Sequence, residues 1–138
     1  MQSDTTVGLI SQDGLRLNRL KGRPDNQPLI ETVTSFSVLR SRLRVPVWAR
    51  SMIRRFKHTT VAYPQGRAIR VLYGEHARPL EALQWAYSSS ANPTGGAFDE
   101  SWARAQADLY LLRPEGFSPQ AASAIVRLGR GGRLKKLR

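Results

Sequence analysis

The sequence predicts an α+β fold (mixed α/β), in which helices pack on one twisted, mixed β-sheet. The chain has 138 residues, and 41% of them are hydrophobic, which suits one compact core. Segments with the composition of strands alternate irregularly with segments of helical periodicity, and this favours a mixed sheet. No internal repeat or linker divides the chain, so we expect a single domain over residues 1–138.

Strands are predicted where β-branched and apolar residues cluster and turn residues follow. The clearest pair is 59–63 and 67–73, which flank the turn sequence PQGR. Segment 123–128 is predicted to be the last strand, and GRGG then turns into a basic C-terminal tail over about 127–138. The predicted strands are 5–11, 27–34, 59–63, 67–73, 85–90, 108–112 and 123–128.

Helices are predicted from capping residues and from apolar residues that recur on one face. Ser35 is placed to cap a helix in which Val38 and Leu39 share a face. Pro79 suits the first turn of a short helix, and Asp99 is placed to cap another. The other helical segments are 13–20, for which a turn is the alternative, and 48–56; the short helix is 79–84 and the last is 100–107.

The charge distribution favours an anionic partner. Lys and Arg number 22 against 10 Asp and Glu, for a net charge of +12. Residues 32–74 and 127–138 contain no acid at all. One-sign surfaces of this kind attract polyanions through counterion release and steering. Because Arg outnumbers Lys and suits bidentate phosphate contacts, contact with a nucleotide or nucleic acid is favoured over a merely solvated basic face.

Several classes of protein are disfavoured by what the sequence lacks. The absence of Cys excludes a disulfide framework and a thiolate metal site. His58 and His76 are too few for a histidine metal site, so we expect no metal bound by the protein alone. There is no Walker-type phosphate loop. No secretory signal and no apolar run of ~20 residues is visible, so we expect a cytoplasmic protein without a membrane partner.

Two short stretches, KGRP and SANP, share one pattern of polar residues. Lys21 and Arg23 lie two residues apart before a proline, and so do Ser90 and Asn92. A residue before proline is driven into an extended conformation, in which side chains two apart project to the same side. We expect both pairs to face one anionic ligand, with the cations on its charge and the polar pair orienting it. Two unrelated surface loops are the alternative.

The order of the motifs resembles the YrdC-like family, which includes threonylcarbamoyl-AMP synthases and a related domain of carbamoyltransferase maturation proteins. The pieces that carry the resemblance are DTTVGLIS, LKGRPDNQPLI, AIRV, SSSANPTG and SAIVRL, and they span most of the chain. The resemblance implies a twisted mixed sheet with a positively charged cavity. Because the first strand begins almost at Met1, it also implies a short, N-terminally reduced member.

The resemblance implies a nucleotidyltransferase that joins L-threonine, bicarbonate and ATP into threonylcarbamoyl-AMP, with Mg²⁺ bound to the substrate phosphates. A separate threonylcarbamoyl transferase complex would then modify an adenosine of tRNA. The carbamate oxygen attacks the α-phosphate, a step that needs charge neutralisation and alignment more than an acid or base, so no catalytic acid or base is expected.

The site residues are likewise implied by the resemblance. Lys21 and Arg23 would hold the phosphates, and Arg70 would bind the carboxylate of threonine. The implied nucleotide-binding residues are Lys21, Arg23, Thr60, Ser90, Asn92 and Arg138, and the implied threonine-binding residues are Thr5, Arg70, Ser89 and Ser123.

Two other functions stay open at the level of sequence. One is a non-catalytic paralogue that binds double-stranded RNA or tRNA, with the basic runs on phosphates and with Trp48 and Phe56 as stacking residues. Core positions are the alternative, and the more usual one, for aromatic residues at helical spacing. The other is a different ligase or carbamoyl-transfer reaction in the same pocket, since a fold does not fix a function.

Overall fold

The computed structural model describes residues 1–112, 116–118, 120–129 and 131–138. These residues form seven strands and four α-helices, with two short 3₁₀ turns at Gly74–His76 and Arg78–Leu80. The strands are β1 (Gly8–Ser11), β2 (Ile30–Val33), β3 (Thr59–Ala62), β4 (Ala68–Val71), β5 (Trp85–Ser90), β6 (Ala124–Leu128) and β7 (Leu134–Lys136). The helices are α1 (Gly14–Leu20), α2 (Phe36–Arg42), α3 (Val47–Arg55) and α4 (Glu100–Gln106).

The strands described here build one sheet in the order β1-β5-β2-β4-β3-β6-β7. β2 pairs with β4, and β3 with β6, in parallel, whereas the other neighbouring strands are antiparallel. The predicted α+β fold with a twisted mixed sheet is therefore confirmed.

The helices begin where capping side chains satisfy their first backbone N–H groups. The Ser35 hydroxyl accepts a hydrogen bond from Val38 N at 3.1 Å, and Asp99 Oδ1 accepts one from Trp102 N at 2.9 Å. Both caps were predicted and are confirmed. Pro46 stands at the start of α3, where its missing N–H costs no helical hydrogen bond.

The two faces of the sheet differ in chemistry. On one face, Val33, Val61 and Ile69 pack against residues of α2 and α3 in the main hydrophobic core. The neighbouring residues along the same strands, which alternate to the opposite face, are Thr32, Thr60 and Arg70. The 3₁₀ turns cover only one end of that second face, through a small cluster around Leu72, Ala77 and Leu80. A polar surface is left in the middle of the sheet.

The predicted strand 108–112 is wrong, because these residues are irregular. Its polar side chains take other partners: Asp108 pairs with Arg16 at 2.8 Å, and the Tyr110 ring lies under the Arg104 guanidinium. Leu109 stays 75% exposed, so the segment does not have one buried face to place on a sheet.

Three further predictions are corrected in detail. The helix at 79–84 is only the 3₁₀ turn Arg78–Leu80, because Gln84, with φ +62°, must turn the chain into β5. The strand at 5–11 shortens to Gly8–Ser11. The basic tail is largely a β-hairpin, in which β7 pairs with β6 after Gly131 and Gly132 supply positive φ angles. The sequence RPEGFSP at 113–119 predicts a loop, of which residues 113–115 and 119 lie outside the described residues, as does residue 130.

Candidate ligand-binding site

A row of polar side chains crosses the middle of the second sheet face. Thr32 of β2 and Thr60 of β3 are the register partners of Arg70 on the two sides of β4. Directly paired residues share a face, so the Arg70 side chain stands between two threonines. The Thr32 hydroxyl also donates to Ser88 Oγ at 3.0 Å, which ties the row to β5.

Arg70 is buried, with its hydrogen bonds only partly satisfied. Its Nη1 donates to the Thr5 hydroxyl, and its Nη2 donates to Ser3 Oγ at 3.0 Å. An Asp4 carboxylate oxygen lies 3.8 Å from Nη1, and neither that oxygen nor Arg70 Nε has a hydrogen-bond partner. Burial lowers the pKa of Arg70 below its usual value, against the effect of Asp4. A buried guanidinium that faces the cavity with its hydrogen bonds only partly satisfied suits a carboxylate that enters the cavity.

A cavity of about 330 Å³ opens over this face. That volume lies within the range of small-molecule sites. The cavity lining contains basic side chains and hydroxyls, and none of the described lining residues is acidic. It brings together seven of the ten residues that the sequence singled out, namely Thr5, Arg23, Arg70, Ser89, Ser90, Ser123 and Arg138.

Lys21 lies beneath the SANPTGG loop and is only 3% exposed. Its Nζ donates to Ser90 O at 2.8 Å and to Asn92 O, and Asn92 Oδ1 is 3.5 Å away. The Thr94 hydroxyl in turn donates to Lys21 O at 2.6 Å. Burial, and to a lesser degree the charge of Arg23, lower the pKa of Lys21 to about 8. In this arrangement the amine holds the loop in place and is not among the residues that line the cavity.

The prediction that Lys21 and Arg23 project to the same side of an extended segment is wrong. Lys21 is the C-cap of α1, with φ −90° and ψ 0°, and Gly22 follows with φ +60°. A left-handed glycine after a helix redirects the chain, so the two cations do not project as an i, i+2 pair. Arg23 reaches the cavity instead, where its Nη1 donates to Ser89 Oγ at 3.2 Å. The KGRP and SANPTGG stretches nevertheless meet in space.

Asn92 turns towards its own loop. Its side-chain Nδ2 donates to Pro93 O at 2.9 Å and to Gly96 O at 2.6 Å. It lines a second cavity of about 520 Å³, which shares Thr6 and Ser90 with the first. Of the two predicted nucleotide-binding residues in this stretch, Ser90 therefore lines both adjoining cavities and Asn92 lines only the second.

Thr60 lies behind the cavity wall. It is fully buried, and its hydroxyl lies 2.8 Å from Ser123 Oγ. Arg138 Nη2 donates to Ser123 O at 2.9 Å, which brings the end of the chain to the same wall. Thr60 thus positions Ser123 and does not itself line the cavity.

The sequence reasoning missed Ser3, Asp4 and Ser88. Ser88 could have been identified from the sequence, because it lies two residues before Ser90 in a predicted strand and so faces the same side of the sheet. Ser3 and Asp4 precede the first strand and had no such signal, since their place beside Arg70 depends on long-range folding.

Another cavity, of about 270 Å³, lies beside β1 and is mainly apolar. Its lining includes Leu9, Leu17 and Leu80. The charged residues described in its lining, Arg16 and Asp108, pair with each other. It offers little to an anionic ligand.

Across the described residues, no group of three or more His, Cys, Asp or Glu is arranged to hold a metal ion. Within the same residues, no helix has the length and apolar character required to span a membrane.

Two solved structures are similar to this chain. P. abyssi Sua5, determined as a variant with two alanine substitutions, matches with a TM-score of 0.70 and 22% identity, over 99% of this chain and 47% of that chain. The solution structure of MTH1692 from Methanobacterium thermoautotrophicum matches with a TM-score of 0.59 and 22% identity, over 90% of this chain and 71% of that chain. No family model matches the sequence, and a search of curated proteins found no match.

The topology and these likenesses define the class of fold: the chain has a YrdC-like fold, as the sequence predicted. Sua5 from P. abyssi is one of these structural neighbours, and the chain spans about half of the length of that protein. At 22% identity the likeness concerns the fold, and a function has to be inferred from the residues of the cavity.

Proposed function

We propose that this chain forms threonylcarbamoyl-AMP from L-threonine, bicarbonate and ATP and releases pyrophosphate. The observation that carries the proposal is the convergence of Arg23, Arg70 and Arg138 on one cavity whose described lining has no acid. Its hydroxyls come from β5 and from the segments before β1 and β6, so distant parts of the chain contribute to it. The YrdC-like fold supports this assignment.

In the proposed reaction, the amine of L-threonine and bicarbonate form a carbamate with loss of water. A carbamate oxygen attacks the α-phosphorus of ATP, the bond to the β-phosphate breaks, and pyrophosphate leaves with the electron pair. Arg70 would bind the threonine carboxylate, while Arg23 and Arg138 would face the phosphates. The role of these cations is to align the reactants and to neutralise charge.

Mg²⁺ would arrive bound to the phosphates of ATP. The described lining of the cavity offers hydroxyls but no carboxylate, and Mg²⁺ held largely by phosphates and water needs few protein ligands. No protein residue is assigned as its ligand.

The proposal carries two further expectations. The product is an activated acyl adenylate, so a threonylcarbamoyl transferase acting on tRNA would have to consume it. A cytoplasmic site of action goes with these substrates.

Pyrophosphate release tests the proposal, measured with Mg-ATP and with L-threonine and bicarbonate added separately and together. We expect release only when both co-substrates are present. Arg23→Gln should lower kcat/KM for ATP roughly 10- to 100-fold, because it removes a charged hydrogen-bond donor from the cavity. Arg127→Gln, which removes an exposed charge from β6, is the matched control and should behave as wild type.

Pyrophosphate release that does not depend on L-threonine would contradict this reaction and would indicate a different ligase chemistry. Absence of release from folded protein supplied with all substrates would also reject it.

A further inference from the structure

A pocket of arginines lies on the helical side of the sheet, away from the cavity described above. It has a volume of about 380 Å³ and is formed by the end of α2, the connection to α3 and the start of α3. Its lining residues are Arg40, Ser41, Arg42, Leu43, Arg44, Val45 and Arg50, which we call the arginine pocket.

The one carboxylate beside this pocket is already paired within the described structure. Glu31 accepts hydrogen bonds from Arg42 Nη2 at 2.9 Å and from Arg67 Nε at 2.6 Å. Burial by itself raises the pKa of Glu31, but the hydrogen bonds from Arg67 and Arg42 outweigh it and lower the pKa below its usual value. Two guanidinium groups thus share one negative charge, which leaves the surroundings positive.

The wall of the pocket is held in place before any ligand binds. The Arg42 guanidinium stacks on the Trp85 ring, 3.6 Å from its centroid. Arg50 Nε donates to Val45 O at 3.2 Å, which fixes the plane of a second guanidinium. Preorganised donors of this kind lose less entropy when an anion binds.

Arg40 and Arg44 are the free cations of the pocket. Both are exposed, and neither makes an ion pair within the described part of the chain. No acid occurs from residue 32 to residue 74 to compete for them. Guanidinium groups match the geometry of phosphate oxygens, so the pocket fits a phosphate group.

The neighbouring helix α3 indicates what carries that phosphate. Its residues Ala49 and Ile53 are buried in the core, so only Val47 and Trp48 of its first turn are exposed large apolar residues, which is too little for an apolar face that enters a lipid surface. Its outer face presents Arg54 and Arg55, and Trp48 in its first turn is 43% exposed. Exposed aromatic and arginine side chains together are typical of surfaces that bind single-stranded nucleic acid.

We propose that the arginine pocket and the outer face of α3 bind RNA with unpaired bases, through phosphates at Arg40 and Arg44 and a stacked base at Trp48. This surface lies on the opposite side of the sheet from the cavity, and its occupancy does not depend on the synthase reaction.

Fluorescence anisotropy with a labelled single-stranded RNA tests the proposal over a salt series. Arg40→Gln/Arg44→Gln should weaken binding on the order of tenfold and make the slope of log K against log salt shallower by about 1.4, since each phosphate contact on a single strand contributes about 0.7. Trp48→Ala should lower the affinity for the single-stranded RNA at least about fivefold and leave the affinity for a duplex RNA unchanged.

The control is Arg19→Gln/Arg104→Gln, which removes the same charge from exposed residues already paired with Asp25 and Glu100. It should retain most of the wild-type affinity. Equal losses in both double variants would overturn the proposal in favour of a net-charge effect, and so would an unchanged affinity and salt slope in Arg40→Gln/Arg44→Gln. Loss of binding to phosphatidylserine vesicles without loss of RNA binding would overturn the assigned partner.

Discussion

The two faces of the sheet differ in chemistry, although their residues alternate along the same strands. In β4, Ile69 is buried in the core beneath α2 and α3, whereas Arg70, the next residue, faces the polar cavity. In β2 and β3, Val33 and Val61 face the core, and Thr32 and Thr60 face the other way. A single alternation with a period of two therefore separates the residues that stabilise the fold from those proposed to bind a ligand.

Charges on the two faces are also neutralised differently. Glu31, on the helical face, is satisfied by two arginines at direct ion-pair distance. Arg70, on the cavity face, is held mainly by the hydroxyls of Thr5 and Ser3, with Asp4 farther away. The charge of Glu31 is paired directly with two arginines, whereas Arg70 keeps a guanidinium nitrogen, Nε, without a hydrogen-bond partner among the described residues.

The largest expected effect on stability comes from the helical face. Ile69→Ala should lower the free energy of unfolding by about 2–5 kcal/mol, because it leaves a cavity in the main core. Thr32→Val on the cavity face should cost only about 1 kcal/mol, the usual net value of one hydrogen bond. Urea unfolding of both variants measures the contrast. Equal losses would show that the two faces do not differ in their contribution to stability.

The cavity face should dominate ligand affinity instead. Arg70→Met is expected to weaken L-threonine binding roughly 10- to 100-fold, since a charged hydrogen bond to the carboxylate is lost. Isothermal titration in the presence of Mg-ATP measures this affinity. Ile69→Val, a conservative change at the adjacent position, is the control and should bind threonine as wild type does. Undiminished threonine binding by Arg70→Met would reject the role assigned to this arginine.

A smaller effect is expected from the paired charge on the helical face. The pKa of Glu31 is lowered in the folded protein, so its carboxylate contributes stability above its unfolded pKa, and this contribution is lost as pH falls through the folded value. The stability difference between wild type and Glu31→Gln should therefore shrink on acidification from about pH 6 to pH 3. Urea unfolding at several pH values checks it, and a difference that stays constant with pH would contradict the pairing.

The last expected effect has the same sign of pH dependence as that of Glu31 but falls at higher pH, and it concerns Lys21 beneath the loop. Its folded pKa of about 8 lies below the ordinary value of 10.5. Between these values the unfolded chain binds more protons, so the free energy of unfolding contributed by this group rises with pH across that window. The difference in the free energy of unfolding between wild type and Lys21→Met, in which residue 21 no longer titrates, isolates the effect. A flat difference from about pH 7 to pH 10 would show that the amine is not desolvated.

Much of the fold followed from local signals in the sequence. Ser35 and Asp99 cap helices as predicted, because an N-cap acts on backbone groups only two or three residues away. β7 was missed because Leu134, Lys135 and Lys136 are all exposed, and its pairing rests on backbone hydrogen bonds that leave no apolar pattern. The strand predicted at 108–112 is not formed. Its composition is apolar enough for a strand, but no neighbouring strand pairs with it within the described residues.

The sequence indicated many of the residues of the candidate site, but not how they are arranged in space. Motifs at distant positions converge on one cavity, and the resemblance of their order had indicated as much. The position of Lys21 was not predictable, because it depends on where α1 ends and on the loop that then covers the amine. Asp4 and Ser3 beside Arg70 lie outside any local pattern.

The most direct test of the difference between the two faces is methyl NMR of protein labelled at Thr, Val and Ile, titrated with Mg-ATP and L-threonine. We expect the methyl resonances of Thr5 and Thr6, which line the cavity, to shift on binding, while those of Val33, Val61 and Ile69 stay in place. Shifts confined to the valines and isoleucine, or no shifts at saturating ligand, would contradict the assignment of the polar face as the ligand-binding face.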